Sequence, residues 1–403
     1  MGGVDILYFA GPGDVVGTFR EWIDGRAHLS GPSRAYSEQF YDVVWKNGWT
    51  AMVISRNDRA DFAEGRGIRV QNLPRRRITG RIKRRFAEVI NAVGAVWTVF
   101  KCKPRVVVMQ EGTCPSWAMW VMRFSGARLI ADMHCALWPD GYPPGALRHR
   151  LALWVNGGFT RGALDRIICI SPVIERQLVQ RMGVQTDAIR SARPSYCSDR
   201  VSLTAISDPE GWPLRLFSAG RIEQDKGFGD LVRAVGLINR RYPGSVSCRI
   251  AGDGPWKHAL NDLIRHEECV DQVIQIGHQS ASEMSRELSD CHAVVVPTTS
   301  GFAEGLNKVC LEAVLAGRPL VCTTVCPAAE VLGNAVASVP PDRPDLLAEV
   351  IERRLMDRVS LINMSSACAQ SRKSILNEQL FWGNVLLTTL NEFIQPKKIV
   401  SID

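Results

Sequence analysis

At 403 residues the chain is long for one hydrophobic core, so two domains of about 200 residues each are expected. Apolar residues at 46% and charged residues at 22%, with no low-complexity tract or tandem repeat, exclude a disordered or fibrous chain. The formal charge of +8 points to acidic partners, whether phosphorylated substrates, an anionic membrane face or nucleic acid.

The chain opens on Met1-Gly2-Gly3-Val4-Asp5-Ile6, without the basic and long apolar regions of a signal peptide, and runs directly into a strand. A cytoplasmic protein is expected, peripheral at most on the inner face of the cell membrane. No apolar run reaches the ~20 residues of a spanning helix; residues 89–100 are interrupted by Asn91 and Thr98. Short β-rich runs alternate with longer helical patterns, the signature of parallel sheets with crossover helices. Strands are expected at 4–10, 51–55, 105–110, 128–133 and 166–170, then at 214–218, 246–251, 273–276, 293–297 and 320–323. The fold class is thus α/β with two Rossmann-like domains. Residues 1–195 form the first and 214–375 the second, with a Pro- and Ser-containing linker over 196–213. Residues 376–403 hold a last amphipathic helix that packs back on one domain or the other.

Between the early strands, Arg75, Arg76, Arg77, Arg81, Lys83, Arg84 and Arg85 surround Ile78, Ile82 and Phe86 at helical spacing. The segment reads equally as an anionic-membrane surface or as a helix with a solvated basic face. Trp117, Trp120 and Phe124 read as core rather than as a lipid wedge. The basic cluster lacks interleaved stacking aromatics, so no nucleic-acid partner is expected. Twelve cysteines lie singly, without CxxC or zinc spacing, and read as small core residues rather than a metal or disulfide framework.

The most informative segment follows the strand at 293–297: Ser300-Gly301-Phe302-Ala303-Glu304-Gly305-Leu306-Asn307-Lys308-Val309-Cys310-Leu311-Glu312-Ala313. It reads as a strand, loop and helix start, where free backbone N–H groups favour phosphate. Gly305 permits close backbone approach, and the amides of Leu306 and Asn307 are expected to point outward. Glu304 is expected at the mouth of the site and Glu312 two turns on, a rise of ~12 Å on a regular helix. Carboxylates there suit sugar hydroxyls and a ribose diol. Earlier, Leu216-Phe217-Ser218-Ala219-Gly220-Arg221-Ile222-Glu223-Gln224-Asp225-Lys226-Gly227 places Arg221 and Lys226 in a strand-to-helix loop. Fixed cations there would stabilise a departing diphosphate.

Together these segments resemble the family-four glycosyltransferases, whose marks are a Glu-x7-Glu motif and a Gly-Arg then Lys-Gly strand end. The resemblance implies the GT-B fold, with two parallel-sheet domains facing across a cleft. It places Arg221 and Lys226 on the donor diphosphate. Ile250-Ala251-Gly252-Asp253-Gly254-Pro255 and Ile276-Gly277-His278 resemble further landmarks, which assigns Gly254 and His278 to donor binding with Gly305, Leu306, Asn307 and Glu312. His134, ending Leu129-Ile130-Ala131-Asp132-Met133-His134, matches the family histidine that touches the donor sugar. The glycine-rich turn before the first helix is matched to Leu29-Ser30-Gly31-Pro32-Ser33-Arg34, with Gly31 at the donor and Ser33 as N-cap; Gly11-Pro12-Gly13 is the rival. The family's Asn-Gly turn before the linker is replaced by Ala192-Arg193-Pro194-Ser195.

The implied activity is transfer of a UDP- or GDP-linked sugar to a glycan or lipid-linked acceptor with retention of configuration, in surface polysaccharide or glycolipid synthesis. Glu304 and His134 join Arg221 and Lys226 in the catalytic set, and neither metal nor cofactor is needed. A nucleotide-sugar epimerase on the same fold and a non-catalytic nucleotide-sugar-binding subunit are the alternatives.

Overall fold

The computed structural model describes residues 3–26, 32–74, 80–198 and 211–397; the side chains of Arg81, Ile82, Arg84 and Arg85 also lie outside the description. The chain divides into two compact units. Unit 1 comprises Met1–Cys135, Pro144–Ser195 and Glu378–Asp403, and unit 2 comprises Ala136–Pro143 and Tyr196–Asn377.

Unit 1 runs β1 (Ile6–Phe9), α1 (Val15–Ile23), α2 (Tyr36–Lys46), β2 (Ala51–Asn57), β3 (Asp61–Gly65), β4 (Ile68–Pro74), α3 (Arg81–Cys102), β5 (Val106–Gln110), α4 (Ser116–Met122), β6 (Arg128–Met133), α5 (Leu147–Ala163), β7 (Arg166–Cys169), α6 (Pro172–Met182) and β8 (Ile189–Ser191). The sheet order is β3-β4-β2-β1-β5-β6-β7-β8. All pairings are parallel except β3 with β4. That edge hairpin, absent from the sequence reading, turns on Arg66 and Gly67, both at positive φ (50° and 76°), as a two-residue hairpin loop requires.

Central strands such as Val106-Val107-Val108 are apolar throughout because helices cover both sheet faces. On one face Ile6, Tyr8, Val108 and Ile130 pack with Phe19, Trp22, Phe40 and Tyr41 of α1 and α2. On the other, Leu7, Phe9, Val107, Met109 and Leu129 meet mainly small residues: Ala92 and Ala95 of α3, Ala118 of α4 and Ala163 of α5. The expectation that Trp117, Trp120 and Phe124 are core is corrected here. Ala118 and Met122 take the inward positions of α4, so the three aromatics point outward and are exposed.

The final helix, α14 (Trp382–Asn391), belongs to unit 1. Trp382 is fully buried, the Gly383 N–H donates to Gln39 Oε1 at 2.9 Å, and Lys397 Nζ pairs with Asp5 at 2.6 Å. Arg193 bridges to Phe381 and its N–H donates to the Leu380 carbonyl, so residues 192–195 are tied into unit 1. Residues 199–210 of the expected linker lie outside the described residues.

Unit 2 runs β9 (Leu214–Ala219), α7 (Phe228–Arg241), β10 (Val246–Ala251), α8 (Lys257–His266), β11 (Val273–Gly277), α9 (Ala281–Asp290), β12 (Ala293–Val296), α10 (Lys308–Leu315), β13 (Leu320–Thr323), α11 (Ala328–Leu332), β14 (Val336–Val339), α12 (Pro344–Ile351) and α13 (Arg358–Ile375). Its sheet is wholly parallel in the order β11-β10-β9-β12-β13-β14. The chain steps from β9 outward to β11, then returns to the other side of β9 with β12. The gap between the carboxyl ends of β9 and β12 is therefore a switch point, where open α/β sheets leave a crevice for ligands.

Candidate functional site

The loops after β9 and β12 meet at that switch point because glycines let their backbones touch. Gly227 lies at φ 74°, and a Cβ there would stand 1.8 Å from the Pro297 carbonyl oxygen. Thr299 closes the same seam, its N–H and hydroxyl both donating to the Asp225 carbonyl at 3.0 Å. Gly254 serves a similar end on the neighbouring loop: a Cβ would meet the Ile222 carbonyl oxygen at 2.4 Å. The room that Gly254 leaves is thus filled by backbone.

This seam brings Lys226 Nζ to 3.4 Å from Glu304 Oε2, with both side chains mostly buried. Lys226 also stands over the Phe302 ring, 3.4 Å from its centroid. Thr298 Oγ1 at 3.2 Å and Asn307 Nδ2 at 3.3 Å donate to the same carboxylate oxygen. Three donors converge on Oε2, and Oε1 takes part in none of these bonds. Burial raises the Glu304 pKa above the ordinary carboxyl value, with Lys226 and Asn307 opposing it. Glu304 is thus an inner member of the site rather than its mouth, which corrects the sequence expectation.

The helix start is corrected as well. Residues 303–307 are loop, and α10 begins at Lys308, so the ~12 Å helical rise between the two glutamates does not apply. Asn307 is the N-cap, its side chain accepting from the Val309 N–H at 2.9 Å, as a short amide side chain does well. Its own N–H is turned inward toward the Cys326 sulfur, not outward as expected. Gly305 and Leu306 are buried beside Glu304. Within α10, burial pushes the Glu312 carboxyl up to about 7 despite Lys308, and burial lowers the Lys308 ammonium.

Arg221 and His278 are less enclosed. Arg221 is exposed and pairs with Glu223 at 2.9 Å. His278 is exposed after β11, near enough to Asp253 to help lower its carboxyl, after the Gly254 N–H and Lys257. Among the described residues no three His, Cys, Asp or Glu side chains gather as a metal site.

In unit 1, His134 follows β6, and its Nε2 lies 2.7 Å from Asp132 Oδ2. Asp132 is fully buried and accepts from Trp382 Nε1 at 2.8 Å on its other oxygen. Tyr36 packs edge-on against the His134 ring at 4.2 Å and against Trp382 at 5.3 Å. The N–H groups of His134 and Cys135 both donate to Glu111 Oε2 at 2.9 Å. An ionised Asp132 accepts from Nε2–H, which fixes the tautomer of the neutral ring. Sequence reading found His134 but missed Asp132, Glu111, Tyr36 and Trp382. The Asp-x-His spacing held a signal for Asp132, since alternate residues share a sheet face.

Gly31 lies outside the described residues. Its rival, Gly11-Pro12-Gly13, forms the turn from β1 into α1, with Gly11 N–H donating to Gln110 Oε1 at 2.6 Å. The expected Ser33 cap is not made: Ala35 is the N-cap of α2, without a side-chain bond. Asp14 instead caps α1, accepting from the Gly17 N–H.

Residues 206–373 match the family model described as glycosyl transferases group 1, and residues 26–191 match a glycosyl transferase 4-like domain. The chain is 26% identical over 301 residues to glycogen synthase of Mycobacterium tuberculosis, spanning 73% of this chain and 70% of the relative. It is 31% identical to alpha-D-kanosaminyltransferase of Streptomyces kanamyceticus, over 61% of this chain and 66% of that one. A putative colanic acid biosynthesis glycosyltransferase of Salmonella typhimurium is 26% identical over 55% of each chain. Among solved structures, sucrose-phosphate synthase from Thermosynechococcus elongatus aligns with a TM-score of 0.68 at 15% identity, covering 96% of this chain and 98% of that one. The Anabaena HepE protein in complex with UDP-glucose aligns at 0.62 and 15%, covering 97% and 100%. At such identities the likeness is one of fold, the GT-B pair of Rossmann-like domains.

Proposed function

The chain belongs to the group 1 glycosyltransferases, and on that footing we propose that it transfers a sugar from a UDP- or GDP-linked donor to a glycan or lipid-linked acceptor, with retention and without a metal. The observation that carries this reading is the Lys226–Glu304 pair at the unit 2 switch point. A buried cation beside a carboxylate with one uncommitted oxygen suits a ligand that joins an anionic diphosphate to a hydroxyl-rich ring. The HepE complexes with UDP and with UDP-glucose support a nucleotide-sugar donor. The colanic acid relative supports a role in surface polysaccharide or glycolipid synthesis.

In the proposed reaction the bond between the anomeric carbon and the leaving phosphate oxygen breaks through an oxocarbenium-like state. The acceptor oxygen bonds to that carbon on the same face, and its proton passes to the leaving phosphate. Lys226 and Arg221 stabilise the negative charge that grows on the diphosphate, the task a divalent ion would otherwise perform. Glu304 Oε1 accepts from sugar hydroxyls, and Glu312 accepts from the ribose diol. Three donors already hold Glu304 Oε2 in place, which supports a binding role for this carboxylate. His134, oriented by Asp132, is assigned to the donor sugar.

A panel of UDP- and GDP-sugars is screened for a rise in melting temperature, since a ligand of the native state stabilises it. Transfer to acceptor is then followed by NMR of the anomeric proton. Retained configuration supports the reading, and inversion or donor epimerisation without acceptor overturns it.

A further inference from the structure

Unit 1 places its large apolar side chains on the wrong side of three helices for a water-facing surface. In α3 the inward positions are Ala92, Ala95 and Val99, while Phe86, Val89, Ile90, Val93, Trp97 and Phe100 form an outward stripe. Their spacing follows one helix face for about four turns. In α4 and the turn after it, Trp117, Trp120 and Phe124 point out. In α5 the inward positions are Gly157, Thr160 and Ala163, and Leu147, Leu151, Trp154 and Val155 point out. Exposure is high where it matters most: 67% at Phe86, 61% at Trp97, 79% at Leu147 and 67% at Trp154.

The stripes form one surface, since α4 packs between α3 and α5 and all three cover the same sheet face. Thirteen of the twenty-two large apolar side chains exposed among the described residues fall on these elements, so the feature is a patch rather than scatter. Its charge is one-sided. From Arg81 to Lys103 the only acid is Glu88, and α5 carries Arg148, Arg150 and Arg161 with no acid. Lys101 lies over the Trp97 ring at 4.5 Å. Two copies of such a surface would set cation against cation, which disfavours self-association.

We propose that the α3–α4–α5 face docks unit 1 on an anionic lipid bilayer, with its Trp and Phe rings at the headgroup–acyl boundary and its Arg and Lys side chains on lipid phosphates. Apolar burial supplies the depth and the basic residues supply the preference for negative lipid. The inference rests on the surface composition of unit 1 and is independent of the transfer reaction.

The full chain is floated with vesicles of phosphatidylcholine, alone or mixed with phosphatidylglycerol, at low and high salt. Binding is expected to the mixed vesicles, at least tenfold stronger than to the neutral ones and weakened by salt. The W97Q/W154Q double variant should lose about tenfold or more with an unchanged melting temperature, and Arg148→Glu/Arg150→Glu should abolish the preference for anionic lipid. Absence of the wild type from the mixed-vesicle fraction, or equal flotation of wild type and both variants, overturns the proposal. So does a self-associated species in sedimentation velocity that W97Q/W154Q dissolves. Donor stabilisation and turnover of a water-soluble acceptor, measured on the same variants, stand or fall separately.

Discussion

Both units are parallel sheets between helices, yet they depart from an ordinary soluble domain in opposite directions. Unit 2 draws charge inward: Lys226, Glu304, Lys308 and Glu312 are largely withdrawn from water around the carboxyl ends of β9 and β12. Unit 1 sends apolar surface outward, on the faces of α3, α4 and α5 that turn away from its sheet. Each departure costs stability unless something binds there, buried charge through desolvation and exposed rings through hydration. On the two proposals above, these regions face ligands in different senses, unit 2 toward a small polar molecule and unit 1 toward an extended apolar phase.

The comparison is broken most directly at Lys226. Lys226→Met should lower donor kcat/KM by roughly 10²–10³-fold, as loss of a fixed oxyanion-type donor does. It also leaves Glu304 buried without its cation, so thermal unfolding should show a loss of about 3 kcal/mol or more. Wild-type kinetics in this variant would remove unit 2 chemistry from the account.

Next is Asp132→Asn, which keeps shape while freeing the His134 tautomer. As a positioning residue, Asp132 should affect kcat by up to ~10²-fold and donor KM little. A change confined to melting temperature would make it structural only. Smaller still is the pH effect at Glu312. Its pKa of about 7 means the folded chain holds that proton more tightly than the unfolded chain. Its contribution to stability is therefore greatest below the ordinary carboxyl range and is lost as pH rises through 7. Glu312→Gln should gain on wild type by roughly 1 to 3 kcal/mol between pH 5 and 8. The limb below pH 7 in wild-type donor kcat/KM, where protonation removes an acceptor, should be absent from the variant. Smallest is Trp97→Gln, expected to leave turnover of a soluble acceptor and the melting temperature within error. A large loss of either would mean the unit 1 face serves the fold or the chemistry after all.

Ten strands were legible as short apolar runs bounded by turn residues, as in Val106-Val107-Val108 or Ala293-Val294-Val295-Val296, whereas the parallel edge strands β8 and β14 were not expected, being only three and four residues long and half exposed. The β3–β4 hairpin was not, since Asp61-Phe62-Ala63-Glu64-Gly65 is half polar and its edge position asks little apolar content. The candidate site residues could be named from the loops that carry them, but their burial could not. Glu304 reads as a surface carboxylate until Gly227 is seen pressed against the Pro297 carbonyl. Trp117, Trp120 and Phe124 were misread because aromatic content alone gives no direction. The alanines of α3 and α4, which fit close to the sheet, decide which side turns in. Asp132 and Trp382 are 250 positions apart, and no local pattern announces such a bond.

That last bond has a consequence for how the chain is made. Residues 196–377 are continuous in sequence and make up most of unit 2, whereas the core of unit 1 lacks Trp382, Leu386 and Leu390 until those residues have been added to the growing chain. Unit 2 can therefore mature during synthesis, while unit 1 waits as an incomplete body with its Asp132 carboxylate and α2 uncovered. Shortening the chain just before Glu378 should leave a protease-resistant C-terminal fragment beside an N-terminal half that is digested.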